Sequence, residues 1–274
     1  MSKNKIDILL PYWGDFDLFK ETVESVLNQT EEQWKLLVFD DAYHSLEAQE
    51  YCKSLKDKRV TFIRHAKNIG ITENFNFALK SATADYFIML GCDDRLLPNY
   101  IKTTLNNIGA ADFYQPAVEI IDKDGRVYLP IADRVKRIIR PKKPGIYRGE
   151  KLASSLCVGN WLYFPSIAWR TELVQKYEFD TKHNDTQDVI LELSLIRDGA
   201  RLFVDNEVTF QYRRFADSWS SRRKIKVGGR FSGESDTYNH FAEEFKLNSW
   251  HRAALSAKLH LTSRLHRILS IIIK

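Results

Sequence analysis

Residues 5–30 read KIDILLPYWGDFDLFKETVESVLNQT, and this stretch decides the fold class. Lys5 to Leu10 is a short apolar run of β type. Phe16, Phe19, Val23, Val26 and Leu27 then recur at three- and four-residue steps, the spacing of one buried helical face. Working outward, the alternation continues with a strand at 34–39 (WKLLVF), a helix at 45–55, a strand at 60–63 (VTFI) and a helix at 72–80. A strand at 86–90 (YFIML) then ends in Gly91-Cys92-Asp93-Asp94. Strands alternating with helices predict a largely parallel sheet covered on both faces. After a helix beginning at Pro98, a strand near 112–120 runs into Asp124-Gly125, a hairpin signal, so the second half is expected to be mixed. Residues 133–144 (DRVKRIIRPKKP) are basic and proline-flanked and predict an exposed loop. A helix at 186–197 precedes strands near 201–204 and 207–213. The stretch 218–235, rich in Ser, Gly and basic residues, predicts a loop, and 236–273 a helix.

Length and composition agree with this architecture. The 274 residues, 44% hydrophobic, can bury the core of one large α/β domain with an appendage. The formal charge of +5 is unevenly placed: residues 213–274 carry 13 Lys and Arg against 5 Asp and Glu, so the remainder sums to −3. An acidic body argues against nucleic acid as a partner, whereas a basic tail suits an anionic surface. Three scattered cysteines, Cys52, Cys92 and Cys157, form neither a disulfide framework nor a zinc motif and fit a reducing compartment. Asp7 interrupts the first apolar run, which is therefore read as a strand and not a signal peptide. No stretch approaches the ~18–20 continuous apolar residues of a spanning helix.

In a parallel α/β sheet ligands bind beyond the carboxyl ends of the strands. Here those ends carry Pro11-Tyr12-Trp13, Asp40-Asp41 and Asp93-Asp94. One aspartate at such a place is often only a helix cap or turn former. Two adjacent pairs on one edge repel each other, which a hard divalent cation shared with phosphate oxygens would relieve. Neither GxGxxG nor GxxxxGK[ST] follows the first strand, so a glycine loop for phosphate is absent.

Four segments together resemble the inverting nucleotide-sugar glycosyltransferases of family 2. These are PYWGDFDLFKETVESVLNQT, LLVFDDAYHS, NIGITENFNFAL and YFIMLGCDDRLLP, and their order spans about residues 5–215. The resemblance implies a GT-A fold: a Rossmann-like nucleotide-binding half with a mixed sheet over residues 1–215, followed by a C-terminal helical extension at 216–274. It also implies a nucleotide site formed by Pro11, Tyr12, Trp13, Asp41, Asn68 and Asp93, with Asp41 on the nucleobase and Asp93 on ribose or assisting the metal. Asp94 would hold Mg²⁺ or Mn²⁺ on the diphosphate. Gly91 stands where the family often has the first Asp of its metal motif, so the site reads as a shorter variant. HNDTQDVILEL resembles the family's Glu-Asp segment at the start of a helix and makes Asp188 the general base, with Asp185 as the competing choice. Phe215 replaces a histidine that often assists at the diphosphate. Either the metal relies on the Asp pair alone, or Arg213, Arg214, Arg222 or Arg223 clamps the diphosphate.

Two further readings come from the residues. Trp161, in GNWLYFPSIAW, is either an acceptor platform or core. Leu247, Trp250, Ala254, Ala257, Leu261, Leu265, Ile268 and Ile272 form a stripe with basic residues elsewhere, a basic amphipathic helix that meets its own domain, another subunit or a membrane. The expectation is an inverting transferase moving sugar from a UDP- or dTDP-sugar to a glycan or lipid-linked acceptor hydroxyl. It would work in the cytoplasm or at the inner face of the membrane. A catalytically silent nucleotide-sugar or glycan-binding protein is the alternative.

Overall fold

The computed structural model describes residues 5–180, 186–214 and 229–261. The first half is the expected alternation. Strands β1 (Ile6–Tyr12), β2 (Trp34–Asp40), β3 (Val60–Arg64) and β4 (Tyr86–Met89) are parallel neighbours in the order β3-β2-β1-β4, interleaved with α1 (Phe16–Leu27), α2 (Glu47–Ser54) and α3 (Ile71–Ser81). Side chains alternate across the sheet as a two-residue period requires. Ile6, Ile8, Leu10 and Tyr12 face α1 and α2, while Leu9 and Phe39 join α3 on the opposite face. Asp7 has a structural cause: its buried carboxylate accepts the Thr83 and Ala84 N–H groups at 2.6 and 2.9 Å, closing the turn into β4.

Beyond β4 the sheet becomes mixed. A two-residue strand β5 (Arg95–Leu96) is followed by α4 (Tyr100–Asn107), β6 (Phe113–Ile121), α5 (Ile131–Ile139), β7 (Gly145–Tyr147), α6 (Gly149–Val158), β8 (Ala168–Arg170), the short α7 (Thr171–Val174), α8 (Gln187–Arg197) and β9 (Leu202–Arg213). β8 lies antiparallel between β4 and β6, and β9 runs parallel to β6 while pairing antiparallel with β5 and β7. The hairpin signal at Asp124-Gly125 closes an antiparallel Ile121–Val127 bridge, with Gly125 at φ +81°. The two strands expected at 201–204 and 207–213 are one strand. β6 absorbs a register shift around Ala117, and the exposed Asn206–Val208 stretch does not end β9.

Residues 133–144 do not form the expected loop throughout, because 131–139 is the helix α5. Its only acid, Asp133, is fully buried against Tyr163 and Arg214, and Lys136 reaches the Leu162 carbonyl. The tail differs as well. α9 (Gly229–Leu247) starts seven residues before the expected helix, inside the stretch expected to be a loop, and a turn at 248–250 separates it from α10 (His251–Leu259). Phe241, Phe245, Ala254 and Ala257 share one core with Leu9 and Phe87, so the described C-terminal helices complete the body's own core. Among the described residues no helix is long and apolar enough to cross a membrane.

Candidate active site

The carboxyl ends of β1, β2 and β4 open into a cleft of about 930 Å³. Pro11, Tyr12, Trp13, Asp41, Asn68 and Asp93 all line it, so six residues from four separate segments meet at one place. Trp13 is 48% exposed and meets Tyr43 edge to face at 5.2 Å. Tyr43, Phe75, Phe164 and Pro165 also line the cleft, with Phe75 and Phe164 stacked at 6.2 Å. All four lie inside segments singled out in the sequence, Tyr43 in LLVFDDAYHS, Phe75 in NIGITENFNFAL and the other two in GNWLYFPSIAW, but the sequence assigns them no place in the cleft. Phe164 and Pro165 arrive on the connection between α6 and β8, which only the tertiary fold brings to the strand ends.

The first aspartate pair is fully engaged with protein. Asp40 is buried, accepts the Tyr43 N–H at 2.8 Å and pairs with Arg64, whose guanidinium also donates to the carbonyls of Tyr43 and Ser45. The Asp41 carboxylate receives the N–H groups of Ile69 and Gly70 at 2.7 and 2.9 Å, and the Asn68 amide donates to the Asp41 carbonyl. Gly70 holds φ +89°, a left-handed conformation in which glycine is unstrained. These bonds fix the loop before α3 over one wall of the cleft.

The second pair is held differently. Thr22 donates to the Asp94 carbonyl at 2.7 Å, and the Arg213 N–H donates to Asp94 Oδ1 at 2.8 Å. No donor from another described residue reaches the Asp93 carboxylate. A Cβ at Gly91 would stand 2.6 Å from Asp94 Oδ2 and 3.3 Å from Asp93 Oδ1. The glycine therefore makes room for the two carboxylates, which is the physical content of the shortened motif. Burial and the neighbouring Asp93 hold the Asp94 carboxyl well above the usual carboxylate range, and burial raises Asp93 against the pull of Arg213. Cys92 is inert between them, because burial pushes its thiol up to about 12.

Arg213 is a brace and not a diphosphate clamp. Its fully buried guanidinium donates to the carbonyls of Asp93, Asp122 and Lys123 and pairs with Glu21, which also pairs with Arg95. Arg214 pairs with Asp133 on α5, away from the cleft lining. Arg222, Arg223 and Asp185 lie outside the described residues. Trp161 belongs to the core: it is completely buried with its indole N–H on Ser155, so no acceptor can stack on it.

Asp188 sits in the first turn of α8 and is partly exposed. The preceding Gln187 accepts the Thr72 hydroxyl at 2.9 Å, which ties the start of α8 to the first turn of α3 beside Gly70 and Ile71. One turn on, Glu192 is buried with Asn160 donating to Oε2 at 2.8 Å. Burial and the nearby Asp188 hold its carboxyl well above the usual range. Burial and Arg214 push the Lys136 ammonium down to about 8. Asp188 is not among the residues that line the cleft, and its charge acts on Glu192 and Lys136.

An aspartate-lined cleft at the strand ends, a mixed sheet and this sequence agree with one known family. The profile described as "Glycosyl transferase family 2" matches residues 7–171. The chain belongs to glycosyl transferase family 2. An uncharacterized glycosyltransferase of Methanocaldococcus jannaschii is 23% identical over 219 residues, 78% of this chain and 72% of that protein. The putative glycosyltransferase EpsE of Bacillus subtilis is 23% identical over 222 residues, 80% and 76% of the two chains. Among solved structures, S. aureus TarS in complex with UDP-GlcNAc superposes with a TM-score of 0.70 at 14% identity, covering 94% of this chain and 73% of that one. The mannosyltransferase PcManGT of Pyrobaculum calidifontis, in complex with GDP-Man and Mn²⁺, gives a TM-score of 0.65 at 11% identity over 95% and 71%. At such identities the two structures establish the GT-A fold, and the family match establishes a glycosyltransferase.

Proposed function

We propose that this glycosyltransferase moves a sugar from a UDP- or dTDP-sugar to a hydroxyl of a glycan or envelope glycoconjugate acceptor, with inversion at the anomeric carbon. The observation that carries the reading is the Asp93–Asp94 pair just past β4, Asp93 lining the cleft of about 930 Å³ and Asp94 buried behind it, with only one hydrogen bond from another described residue to the two carboxylates. That pair fits a divalent cation: it supplies two hard oxygen donors whose mutual repulsion a cation offsets, and Gly91 leaves them room. Asp93 and Asp94 would hold Mg²⁺ or Mn²⁺ jointly with oxygens of the donor diphosphate. Bound there, the cation supplies charge stabilisation to the nucleoside diphosphate as it leaves.

The chain's own residues do the rest. Pro11, Tyr12, Trp13, Asp41 and Asn68 seat the nucleoside, with Trp13 and Tyr43 offering aromatic faces at the mouth. Asp188 takes the proton as the acceptor oxygen bonds to C1 and the bond from C1 to the diphosphate oxygen breaks. Attack from the face opposite the leaving group gives inversion. TarS carries UDP-GlcNAc and PcManGT carries GDP-Man in their structures, so a nucleotide-sugar donor suits the fold.

We place the protein in the cytoplasm, at the inner face of the membrane. The described part of the tail stripe packs on the protein's own domain, since Ala254 and Ala257 are buried and Ser256 meets Ser154 of α6 at 2.8 Å. A membrane or second-subunit contact by the C-terminal helix therefore rests on the exposed Leu247, Leu255, Leu259 and Leu261 and on residues past 261, outside the described residues. The deciding experiment is a thermal-shift and turnover panel of nucleotide sugars with and without Mn²⁺. Mn²⁺-dependent release of nucleoside diphosphate supports the transferase, whereas donor binding without release under any acceptor condition identifies the silent binder.

A further inference from the structure

Helix α5 is amphipathic in the inverted sense. Asp133 is fully buried, accepting the Tyr163 hydroxyl at 2.7 Å and pairing with Arg214. The Lys136 ammonium turns inward to the Leu162 carbonyl at 2.7 Å, 4.2 Å from the centre of the Tyr163 ring. Ile131 and Ile138, two turns apart and so on one face, are 77% and 75% exposed, with exposed Arg134 between them. A helix on a globular surface ordinarily turns its apolar stripe to the core. Here Asp133 and Lys136, with the partly buried Ile139, hold the helix to the body, and Ile131 and Ile138 are presented to whatever lies outside.

The charge around this face is one-sided. Residues 125–148 hold eight Lys and Arg and a single acid, Asp133, in a chain whose first 212 residues sum to −3. Arg134, Arg137, Lys142 and Lys143 are exposed, and none makes an ion pair among the described residues. Two large aliphatic side chains flanked by unpaired cations suit the headgroup and acyl boundary of an anionic bilayer. A second copy of the chain suits them less. Nine helical residues, about 14 Å long and ~10 Å wide, present a face on the order of 150 Å², far short of the ~800 Å² per partner that a stable dimer needs, and a two-fold contact would set like charges against each other.

We propose that the outer face of α5 is a membrane-interface surface: Ile131 and Ile138 enter the boundary of an anionic leaflet while Arg134, Arg137, Lys142 and Lys143 meet its headgroups. This surface is separate from the C-terminal helix and does not depend on the donor or the metal. Its position has a functional sense, because α5 rests on Leu162 and Tyr163, immediately before the Phe164–Pro165 rim of the cleft. A protein docked through α5 presents that rim close to the leaflet.

The test uses the full chain in co-sedimentation with phosphatidylcholine–phosphatidylglycerol vesicles, against phosphatidylcholine alone, at low and high salt. The variants are Ile131→Ser/Ile138→Ser, Arg134→Glu/Arg137→Glu and, for the tail, Leu255→Ser/Leu261→Ser. Because the substituted α5 side chains are exposed, unchanged melting curves verify the fold of these variants. The expected result is wild-type binding to the anionic vesicles that weakens with salt. Each α5 double variant should lower partitioning about ten-fold or more, with the residual binding of the charge reversal nearly salt-independent. Wild-type absence of vesicle binding, or α5 variants that bind as the wild type does while the tail variant fails, overturns the proposal. So does a loss of dimer mass in the isoleucine variant, in light scattering, without an effect on vesicles.

Discussion

The chain contains two Asp-Asp dipeptides, each at the end of a parallel strand, and the fold uses them in opposite ways. At Asp40–Asp41 every carboxylate is answered by protein, through Arg64, the Tyr43 N–H and the N–H groups of Ile69 and Gly70. At Asp93–Asp94 the brace grips mainly the backbone: Thr22 and Arg213 take the two carbonyls, and among the other described residues only the Arg213 N–H reaches a carboxylate. A buried carboxylate with its own donors stabilises a loop. A buried carboxylate whose surroundings are left incomplete is a binding site. The same dipeptide is thus closed at one strand end and left open at the other by the partners the fold brings to it.

This contrast breaks most sharply by substitution. Asp94→Ala should drop transfer by roughly 10³-fold or more, since a cation at the leaving group contributes several kcal/mol, while the melting temperature without metal holds or rises. Full Mn²⁺-dependent turnover in Asp94→Ala would sink the metal assignment. Asp188→Asn, nearly isosteric but unable to take a proton, should cut turnover by about 10²–10⁴-fold with donor affinity unchanged. Titrating donor by calorimetry alongside single-turnover rates separates the two effects, and a loss of donor affinity alone would show that Asp188 binds rather than catalyses.

Gly91→Ala probes the room between the carboxylates. A Cβ 2.6 Å from Asp94 Oδ2 forces that carboxylate to shift, so Mn²⁺ affinity should fall by about ten-fold, readable as a raised Mn²⁺ midpoint in thermal shift. Asp40→Asn is the reciprocal experiment. Arg64 loses its buried anion yet keeps the Tyr43 and Ser45 carbonyls and some solvent, so stability should fall by about 1–3 kcal/mol, with the Mn²⁺ midpoint unmoved. A shifted midpoint would mean that the two pairs are not independent.

Glu192→Gln changes stability with pH and gives the clearest sign. The folded protein holds the Glu192 proton more tightly than the unfolded chain, so wild-type stability falls as pH rises above the ordinary glutamate value of 4.5. The glutamine keeps an oxygen for Asn160 and has no proton to lose. The variant should match the wild type near pH 4 and gain on it steadily toward pH 8. Parallel melting curves over that range would show that Glu192 titrates as freely as in solution.

The first half of the fold was legible because its signals are local. Strand runs, helical spacing at Phe19, Val23 and Val26, and aspartates after strands each fit within about twenty residues, and their cleft assembled from the order of elements alone. The second half was legible only in outline. DRVKRIIRPKKP reads as a loop because it is basic and proline-flanked, whereas the face that packs carries Asp133, Lys136 and Ile139. Arg213 next to a diphosphate site suggests a clamp, yet its partner Glu21 lies 192 residues away and no spacing rule reaches it. Trp161 has the same composition signature as a sugar platform and a core residue, and only burial decides between them. The Gly91 departure, which reads as a shorter metal motif, acquires its meaning from an atom three residues on.

The bond from the Arg213 N–H to Asp94 joins residues 119 apart in sequence, and the strand that carries it, β9, also pairs with β5, β6 and β7. Contacts so distant require long loops to close before they stabilise anything, which places this protein among slow folders of high contact order. Three strand edges stay open on the growing chain until residue 213 has left the ribosome, and hydrophobic strands in that state are exposed to misassembly. The last strand in chain order is also the one whose backbone holds the Asp94 carboxylate. Completion of the sheet and positioning of Asp94 therefore depend on one strand, and a chain truncated within β9 would keep the Asp41 wall of the cleft and lose the Arg213 N–H.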